Sequence, residues 1–404
     1  MNNVYILEAD PTRFGGIQKF CLTLADYFPG RSVLLAYYGA LAGDRTTAAP
    51  LVRLNTGKRQ AYLSHSGLLR ALALASDIPG IRKNLKKRMP GGDTLVLNSA
   101  FAMTFLCPRS VLRSNRVILV QHTAPRMMRR RAFDFGGVFR SLKIACFRRF
   151  VDTFVMLSPY EKAEFSGWLP LEGKRCPVIR HALAFPDDLP ADFPRSAAVL
   201  ARLIPLKRID RVIACARLLP DVRFNIYGDG PEKARLENMA DGLNNFLFRG
   251  YTGDIDAVFR ENTILLITSD YEGYNISGIE ACVRGRPVIV LNTYPAAKDL
   301  VEDHVSGIAL DDFSPEALAN AVGEVLADPH RYRDGALKHR ELYRLERTEA
   351  DWKRLIAFPD SGDFFSAQFE PMTKIWSATG KSTTFTDKDG QNVVFPTVRT
   401  EKNQ

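Results

Sequence analysis

The chain has 404 residues, 46% of them hydrophobic and 25% charged, with a formal net charge of +10. That length exceeds what one core usually holds, so two domains of an ordinary soluble globular protein are expected. No apolar run reaches the ~18 residues needed to span a bilayer, and the N-terminus lacks the basic and long apolar regions of a signal peptide. Six scattered cysteines without a C-x-x-C pair fit free thiols in a reducing compartment, so a cytoplasmic location is expected.

In chain order, residues 2–183 alternate strand-like and helical patterns. The strand-like runs are Val4–Glu8, Ser32–Tyr38, Thr94–Asn98, Val117–Gln121 and Thr153–Leu157, and the helical ones lie near Ile17–Tyr27, Leu68–Arg88 and Val138–Phe150. That alternation predicts a parallel, doubly wound sheet. Gly15 and Gly16 fall between the first strand and its helix, where glycine lets backbone come close to a bound group. His122 stands where the Val117–Gln121 run stops, at the rim of such a sheet. From Arg109 to Arg180 there are fifteen Lys/Arg against five Asp/Glu. The charge imbalance of the whole chain is therefore in this block, densest at Arg126, Arg129, Arg130 and Arg131. Such a block suits an anionic lipid or a phosphate-rich acceptor. No nucleic-acid module or aromatic–basic interleaving accompanies it, so nucleic acid is not expected.

Three prolines and three acids within Phe185–Pro194 have linker composition. The second half opens on a strand, Ala197–Leu203, and Arg202 and Lys207 lie five apart around the turn that follows. Arg223–Tyr227 predicts a strand, with a glycine turn and a proline-initiated helix after it. Asp254-Ile255-Asp256 spells a D-x-D pair, read as N-cap and first-turn acids of the Ala257–Glu261 helix, with no metal. Ile264–Thr268 is a buried strand, Ser269–Asn275 a polar loop and Ile276–Arg284 a helix. Gly285 stops that helix and Pro287–Val290 begins the next strand. Glu272 in the loop and Glu280 in the helix thus lie at the carboxyl end of a parallel strand, where open α/β sheets bind ligands. Helical patterns continue through Pro315–Leu326 and Pro329–Arg347. Thr383–Thr386 and Asn392–Phe395 flank a D-G turn and predict a hairpin.

Glu272-Gly273-Tyr274 with Glu280 eight positions on, preceded by Arg202-Leu203 and Lys207, resembles the paired-glutamate and G-R-L-x-x-x-K elements of one family. These are the retaining GT-B glycosyltransferases of family 4 (glycosyl transferases group 1). The stretch GGIQKFCLTLADYF resembles the family's Gly-Gly loop and first helix. Cys176–His181 resembles the last strand of its first domain, where Asn is more usual than His181. Ala201 and Arg208 stand where the pattern more often has Gly. The likeness covers roughly residues 3–358.

It implies two Rossmann-like domains facing a central cleft: 1–183 on the acceptor side, a 184–196 linker, and 197–345 binding nucleotide sugar. A 346–358 helix crosses back; residues 359–404, a polar tail of unknown role, lie outside the likeness. By the same resemblance, Arg202 and Lys207 neutralise a leaving diphosphate, and Glu280 binds the ribose hydroxyls. Glu272 and the Tyr274, Asn275, Ile276 and Ser277 backbone hold the donor sugar and its phosphate. Gly250 and Tyr251 meet the nucleobase, Gly16 approaches the donor, and His122 reaches the sugar from the opposite domain.

The activity implied is that of a retaining hexosyltransferase. It would use a nucleotide-diphosphate sugar, UDP-sugar foremost, as co-substrate, with no cofactor and no metal. The basic block, with Arg126 and Arg129–Arg131, points to an anionic acceptor: a teichoic-acid-like polymer, a lipopolysaccharide or capsule intermediate, or a glycolipid. It also points to peripheral contact with the inner face of the plasma membrane. Two rivals are a non-catalytic GT-B subunit serving a partner glycosyltransferase and a nucleotide-sugar epimerase. The first would be expected to lose Arg202, Lys207 or Glu280, and all three are present.

Overall fold

A computed structural model describes residues 2–9, 11, 15–37, 48–54, 67–99, 102–122, 148–167, 171, 173–189, 192–294, 296–357, 382–386 and 392–396. The chain forms two compact units, Met1–Gly362 and Asp363–Gln404. The first contains two six-stranded sheets. One comprises β1 (Val4–Glu8), β2 (Ser32–Ala36), β3 (Leu51–Arg53), β4 (Thr94–Leu97), β5 (Arg116–Val120) and β6 (Thr153–Val155). The other comprises β7 (Ser196–Leu200), β8 (Arg223–Tyr227), β9 (Phe246–Gly250), β10 (Ile264–Ile267), β11 (Val288–Leu291) and β12 (Gly307–Leu310).

Every neighbouring pair in both sheets is parallel. The strand order is β3-β2-β1-β4-β5-β6 in the first sheet and β12-β11-β10-β7-β8-β9 in the second. Numbered from its own first strand, each sheet therefore has the doubly wound order 3-2-1-4-5-6, which opens a crevice where the winding reverses. In the first sheet the reversal lies between β1 and β4, and in the second between β7 and β10. This is the GT-B fold.

The strands form because they are short, β-branched or leucine-rich runs buried on both faces, as parallel sheets demand. Val4, Ile6, Leu34, Val96 and Ile118 are buried in the first sheet, and Ala198, Ile226, Leu265 and Ile289 in the second. Helices cover the faces. Helix Gly16–Asp26 buries Phe20, Cys21, Leu22, Leu24 and Ala25, and Ile209–Leu218 buries Ile209, Val212, Ile213, Cys215 and Ala216. Their apolar positions recur three or four residues apart, the spacing of one helix face. Cys21, Cys107, Cys176, Cys215 and Cys282 are all free and buried. Cys146 lies outside the described residues.

Three local expectations need correction. The helix expected over Pro329–Arg347 ends at His339; a tight turn, Arg340–Tyr343, separates it from helix Leu345–Ala357. The break is made by Tyr343, whose fully buried ring sends its hydroxyl to the Asp299 carbonyl at 2.7 Å. The segment Cys176–His181 runs beside β6 through isolated bridges, Thr153–Arg175 and Met156–Val178, instead of as a strand. Pro177 has no N–H to offer a ladder, although its carbonyl accepts from Met156. The helix expected over Ile276–Arg284 closes at Cys282. Of Val138–Phe150, only the single turn Arg148–Phe150 lies among the described residues.

Helix Leu345–Ala357 packs Trp352, fully buried, against Phe20 with ring centroids 6.0 Å apart. Arg116 at the start of β5 donates to the Leu355 and Ile356 carbonyls at 2.8 and 3.2 Å. In the second unit, β13 (Ser382–Thr386) and β14 (Asn392–Pro396) pair antiparallel as a hairpin. Among the described residues no helix is long and apolar enough to cross a membrane.

Candidate active site

In the second sheet the loops after β7 and β10 flank the reversal of winding, and side chains tie them together. The Thr268 hydroxyl lies 3.1 and 3.2 Å from the carbonyl oxygens of Lys207 and Arg208. Lys207 forms an ion pair with Glu272 Oε1. The same oxygen accepts from Ser269 Oγ at 2.6 Å and from Asn275 Nδ2 at 3.3 Å. Three donors thus hold one carboxylate oxygen, while Glu272 Oε2 has no partner among the described residues. A carboxylate fixed this way keeps one oxygen in place for a ligand hydroxyl. The Tyr294 hydroxyl, its ionisation pushed up by burial and by Glu272 nearby, also has no hydrogen-bond partner among them.

Asn275 is the N-cap of helix Ile276–Cys282, its side-chain oxygen accepting from Gly278 N at 3.0 Å. Ser277 Oγ donates to the Leu200 carbonyl at 3.1 Å, so its hydroxyl anchors the helix to β7. The Tyr274 side chain is buried and donates to Asp299 Oδ2 at 2.7 Å. What Tyr274 and Ser277 leave for a ligand is backbone. Arg202 is exposed, and its guanidinium has no partner among the described residues.

Arg208 adopts φ 50°, ψ 47°. This left-handed backbone explains why a glycine would suit the position. Here the arginine is held at 2.8 Å from Asp210 and 3.1 Å from Asp270. Gly228 and Gly230 have a packing role: a Cβ would sit 1.9 Å from the Ala201 carbonyl oxygen and 2.2 Å from that of Leu203. Gly250 has φ 73° and its carbonyl accepts from Gly228 N at 2.8 Å. Tyr251 beyond it is 61% exposed. Asp254 caps helix Ile255–Glu261 by accepting from Ala257 N at 2.9 Å, and Asp256 pairs with Arg284 at 2.7 Å.

The first half meets this site across the cleft. Gly16 lies so close to Ile276 that a Cβ there would be 2.6 Å from Ile276 Cγ1. Lys19, three residues on, pairs with Glu280 Oε1 at 3.1 Å. Arg180 makes a bidentate pair with Asp299, both bonds 2.7 Å. The paired charge keeps the Arg180 guanidinium protonated despite burial.

His122 follows β5, and its Nε2 lies 3.0 Å from Asn98 Oδ1. Its ring stacks on His181 with centroids 5.4 Å apart and planes at 24°. Phe20 meets both rings edge-on at 5.0 and 5.1 Å, and His181 also touches Tyr274 from the second half at 5.7 Å. Burial, with His181 alongside, holds His122 well below the usual histidine range, and burial takes His181 down to about 3. Both imidazoles are neutral at physiological pH.

The structure therefore brings Gly16, Lys207, Glu272, Asn275, Ile276 and Glu280 into one contact network, with His122 linked to it through His181 and Tyr274. Arg202 and Tyr251 stand exposed after β7 and β9, at the same carboxyl-end rim. Arg126, Arg129, Arg130 and Arg131 lie outside the described residues. Lys19, Asn98, Arg180, Ser269 and Asp299 carry contacts that sequence reading missed. Only Lys19 had a signal, its helical spacing from Gly16. Among the described residues no cluster of His, Cys, Asp or Glu could hold a metal ion.

Residues 188–340 match the family model described as glycosyl transferases group 1. This stretch is a glycosyl transferases group 1 domain. It contains Arg202, Lys207, Gly250, Glu272 and Glu280, so the loops after β7, β9 and β10 belong to that domain. A stretch of 130 residues is 30% identical to poly(ribitol-phosphate) alpha-N-acetylglucosaminyltransferase of Staphylococcus aureus (strain COL), covering 30% of this chain and 26% of the relative. Over 166 residues the identity to poly(glycerol-phosphate) alpha-glucosyltransferase of Bacillus subtilis (strain 168) is 24%, covering 39% and 25%. The matched parts thus span about a quarter of these relatives' own lengths.

Two solved structures share the fold over most of the chain. Sucrose-phosphate synthase from Thermosynechococcus elongatus superposes with a TM-score of 0.74 at 16% identity, over 88% of this chain and 98% of its own. A point mutant of S. aureus TarM, in complex with Fondaparinux, alpha-GlcNAc-glycerol and UDP, gives 0.67 at 14%, over 89% and 100%.

Proposed function

We propose that the protein is a retaining glycosyltransferase that moves a sugar from a nucleotide-diphosphate donor, UDP-sugar foremost, to an anionic cell-envelope acceptor. The observation that carries this reading is the Lys207–Glu272 pair with Glu280 in the helix that follows. They lie at the carboxyl ends of β7 and β10, within a group 1 domain. A cation beside the helix start suits a diphosphate that gains charge as the glycosidic bond breaks. Glu272 Oε2 suits a donor-sugar hydroxyl, and Glu280 suits the ribose. In this reading Arg202, exposed and without a partner among the described residues, closes over the phosphates from solvent.

Neutral His122 serves as a hydrogen-bonding wall for the sugar and carries no charge to it. The acceptor hydroxyl attacks from the face the diphosphate leaves, and its proton passes to the departing phosphate oxygen. This route retains configuration without a protein nucleophile. The acceptor class rests on two supports. The two relatives described above are named for poly(ribitol-phosphate) and poly(glycerol-phosphate), both phosphodiester polymers. Charge supports it as well: Arg109–Arg180 carries an excess of ten cations, and Arg82, Lys83, Lys86, Lys87 and Arg88 line the exposed end of helix Gly67–Arg88.

The test is a panel of nucleotide sugars assayed for binding and slow hydrolysis on the wild type and on Lys207→Ala. One donor should bind saturably, and the variant should lose about a hundredfold to a thousandfold in turnover. Absence of binding to every donor by the folded wild type refutes the reading. Turnover of the nucleotide sugar to its epimer without acceptor would replace it with the epimerase.

A further inference from the structure

Glu280 faces two ways. Its Oε1 accepts from Lys19 Nζ at 3.1 Å, and Lys19 belongs to the first half of the chain, 261 residues away. Its Oε2 has no partner among the described residues. The carboxylate side chain is 11% exposed and the lysine 40%, so the acid is enclosed while the cation reaches in from the cleft wall. Lys19 sits one helical turn beyond Gly16, whose backbone presses on Ile276. Lys19 and Gly16 therefore engage one face of helix Ile276–Cys282 together, by charge and by close packing.

We propose that Lys19 is a positioning residue that couples closure of the cleft to nucleotide binding. It holds one oxygen of Glu280 in the closed form and leaves the other for the ribose hydroxyls, a role that rests on the nucleotide-sugar reading above. A carboxylate offers about four lone-pair sites, so one ammonium and a vicinal diol can be accommodated together. The ammonium also opposes the desolvation that a bound nucleoside would impose on Glu280, so each contact strengthens the other. Lys19 is thereby assigned to the ribose side of the donor, apart from the phosphates.

The experiment compares wild type, Lys19→Met and Lys19→Arg. Small-angle scattering measures the radius of gyration of the nucleotide-free proteins, and titration with UDP and with uridine measures affinity. Lys19→Met should have a larger radius of gyration than wild type. It should bind both UDP and uridine about two- to fivefold more weakly, the range of a partly exposed ion pair. Lys19→Arg should restore both quantities. Unchanged or tighter binding by Lys19→Met overturns the proposal, as does a loss confined to UDP, which would place Lys19 on the phosphates. An unchanged radius of gyration also overturns it, whatever the affinities. Should the wild type bind neither ligand, the donor reading fails and the coupling with it; scattering then still shows whether the ion pair holds the cleft.

Discussion

Gly16→Ala tests whether the two halves must meet as closely as the structure places them. The new methyl carbon would lie 2.6 Å from Ile276 Cγ1, 3.6 Å from its Cβ and 3.8 Å from its Cδ1. Non-bonded carbons rest at ~3.5–4.0 Å, so the first helix must retreat from the second-half helix by about 1 Å. A misplacement of that size between catalytic groups costs on the order of a hundredfold in rate. We expect kcat/KM for the donor, by transfer or slow hydrolysis, to fall about a hundredfold. The melting temperature should hold or rise, because alanine at this helical position relieves ~0.5–1 kcal/mol of backbone entropy. Truncating the opposing side chain should reverse the loss: Gly16→Ala with Ile276→Ala should recover most of the activity, although neither substitution adds a chemical group to the site. Wild-type kcat/KM in Gly16→Ala would refute the reasoning, and so would a loss that Ile276→Ala leaves untouched.

Other outcomes follow from the same geometry. Arg180→Met strands Asp299, 4% exposed, and should cost ~3–5 kcal/mol; a calorimetric melting temperature within about 2 °C of wild type, on a scale of ~2–4 °C per kcal/mol, would contradict this. The folded-state pKa values of His122 and His181 are depressed by burial, so the unfolded chain takes up their protons first as pH falls below ~6.5. His181 should remove ~1.4 kcal/mol per pH unit from there toward about 3, with His122 acting in the same direction, and His181→Phe should flatten that slope in urea titrations at pH 7, 6 and 5. Burial raises the Glu161 carboxyl to about 8. Its contribution to stability is full below its unfolded value and is lost as pH rises through about 8, so Glu161→Gln should raise the melting temperature at pH 8 more than at pH 5. Arg208→Gly exchanges ~1–2 kcal/mol of left-handed strain for two partly exposed ion pairs worth ~1 kcal/mol or less each. Chemical denaturation should find it within about 1 kcal/mol of wild type, with Arg208→Val clearly less stable.

What was legible in the sequence was whatever the chain encodes over short spans. Val4–Glu8, Ile264–Ile267 and Val288–Leu291 read as buried strands because parallel sheets bury both faces, leaving an unbroken apolar run. Leu51–Arg53 escaped notice: an edge strand of three residues, its burial incomplete, carries too little pattern. Arg202, Lys207, Glu272 and Glu280 could be picked out because each pair lies within one strand–loop–helix unit, where spacing fixes relative position. The contacts that join the halves had no such signal. Lys19 with Glu280 and Arg180 with Asp299 are 261 and 119 residues apart, and nothing local distinguishes them from surface charge. The break after His339 was missed because its cause is tertiary, a buried Tyr343 reaching the Asp299 carbonyl.

The two places where the chain passes between the sheets are also bonded to each other. Leu183, on the outward crossing, donates its N–H to the carbonyl of Tyr343, on the return, at 3.1 Å, and Leu183 bridges Arg344 in parallel. Two segments fastened side by side bend easily about the line they share and resist sliding past one another. An opening that keeps this bond is a rotation about an axis near Leu183 and Tyr343. Along that rotation, residues move in proportion to their distance from the axis, so contacts at the lip of the cleft break before those beside the hinge. In such a rotation the Arg180–Asp299 pair, tied to Tyr343 through the Asp299 carbonyl, moves least.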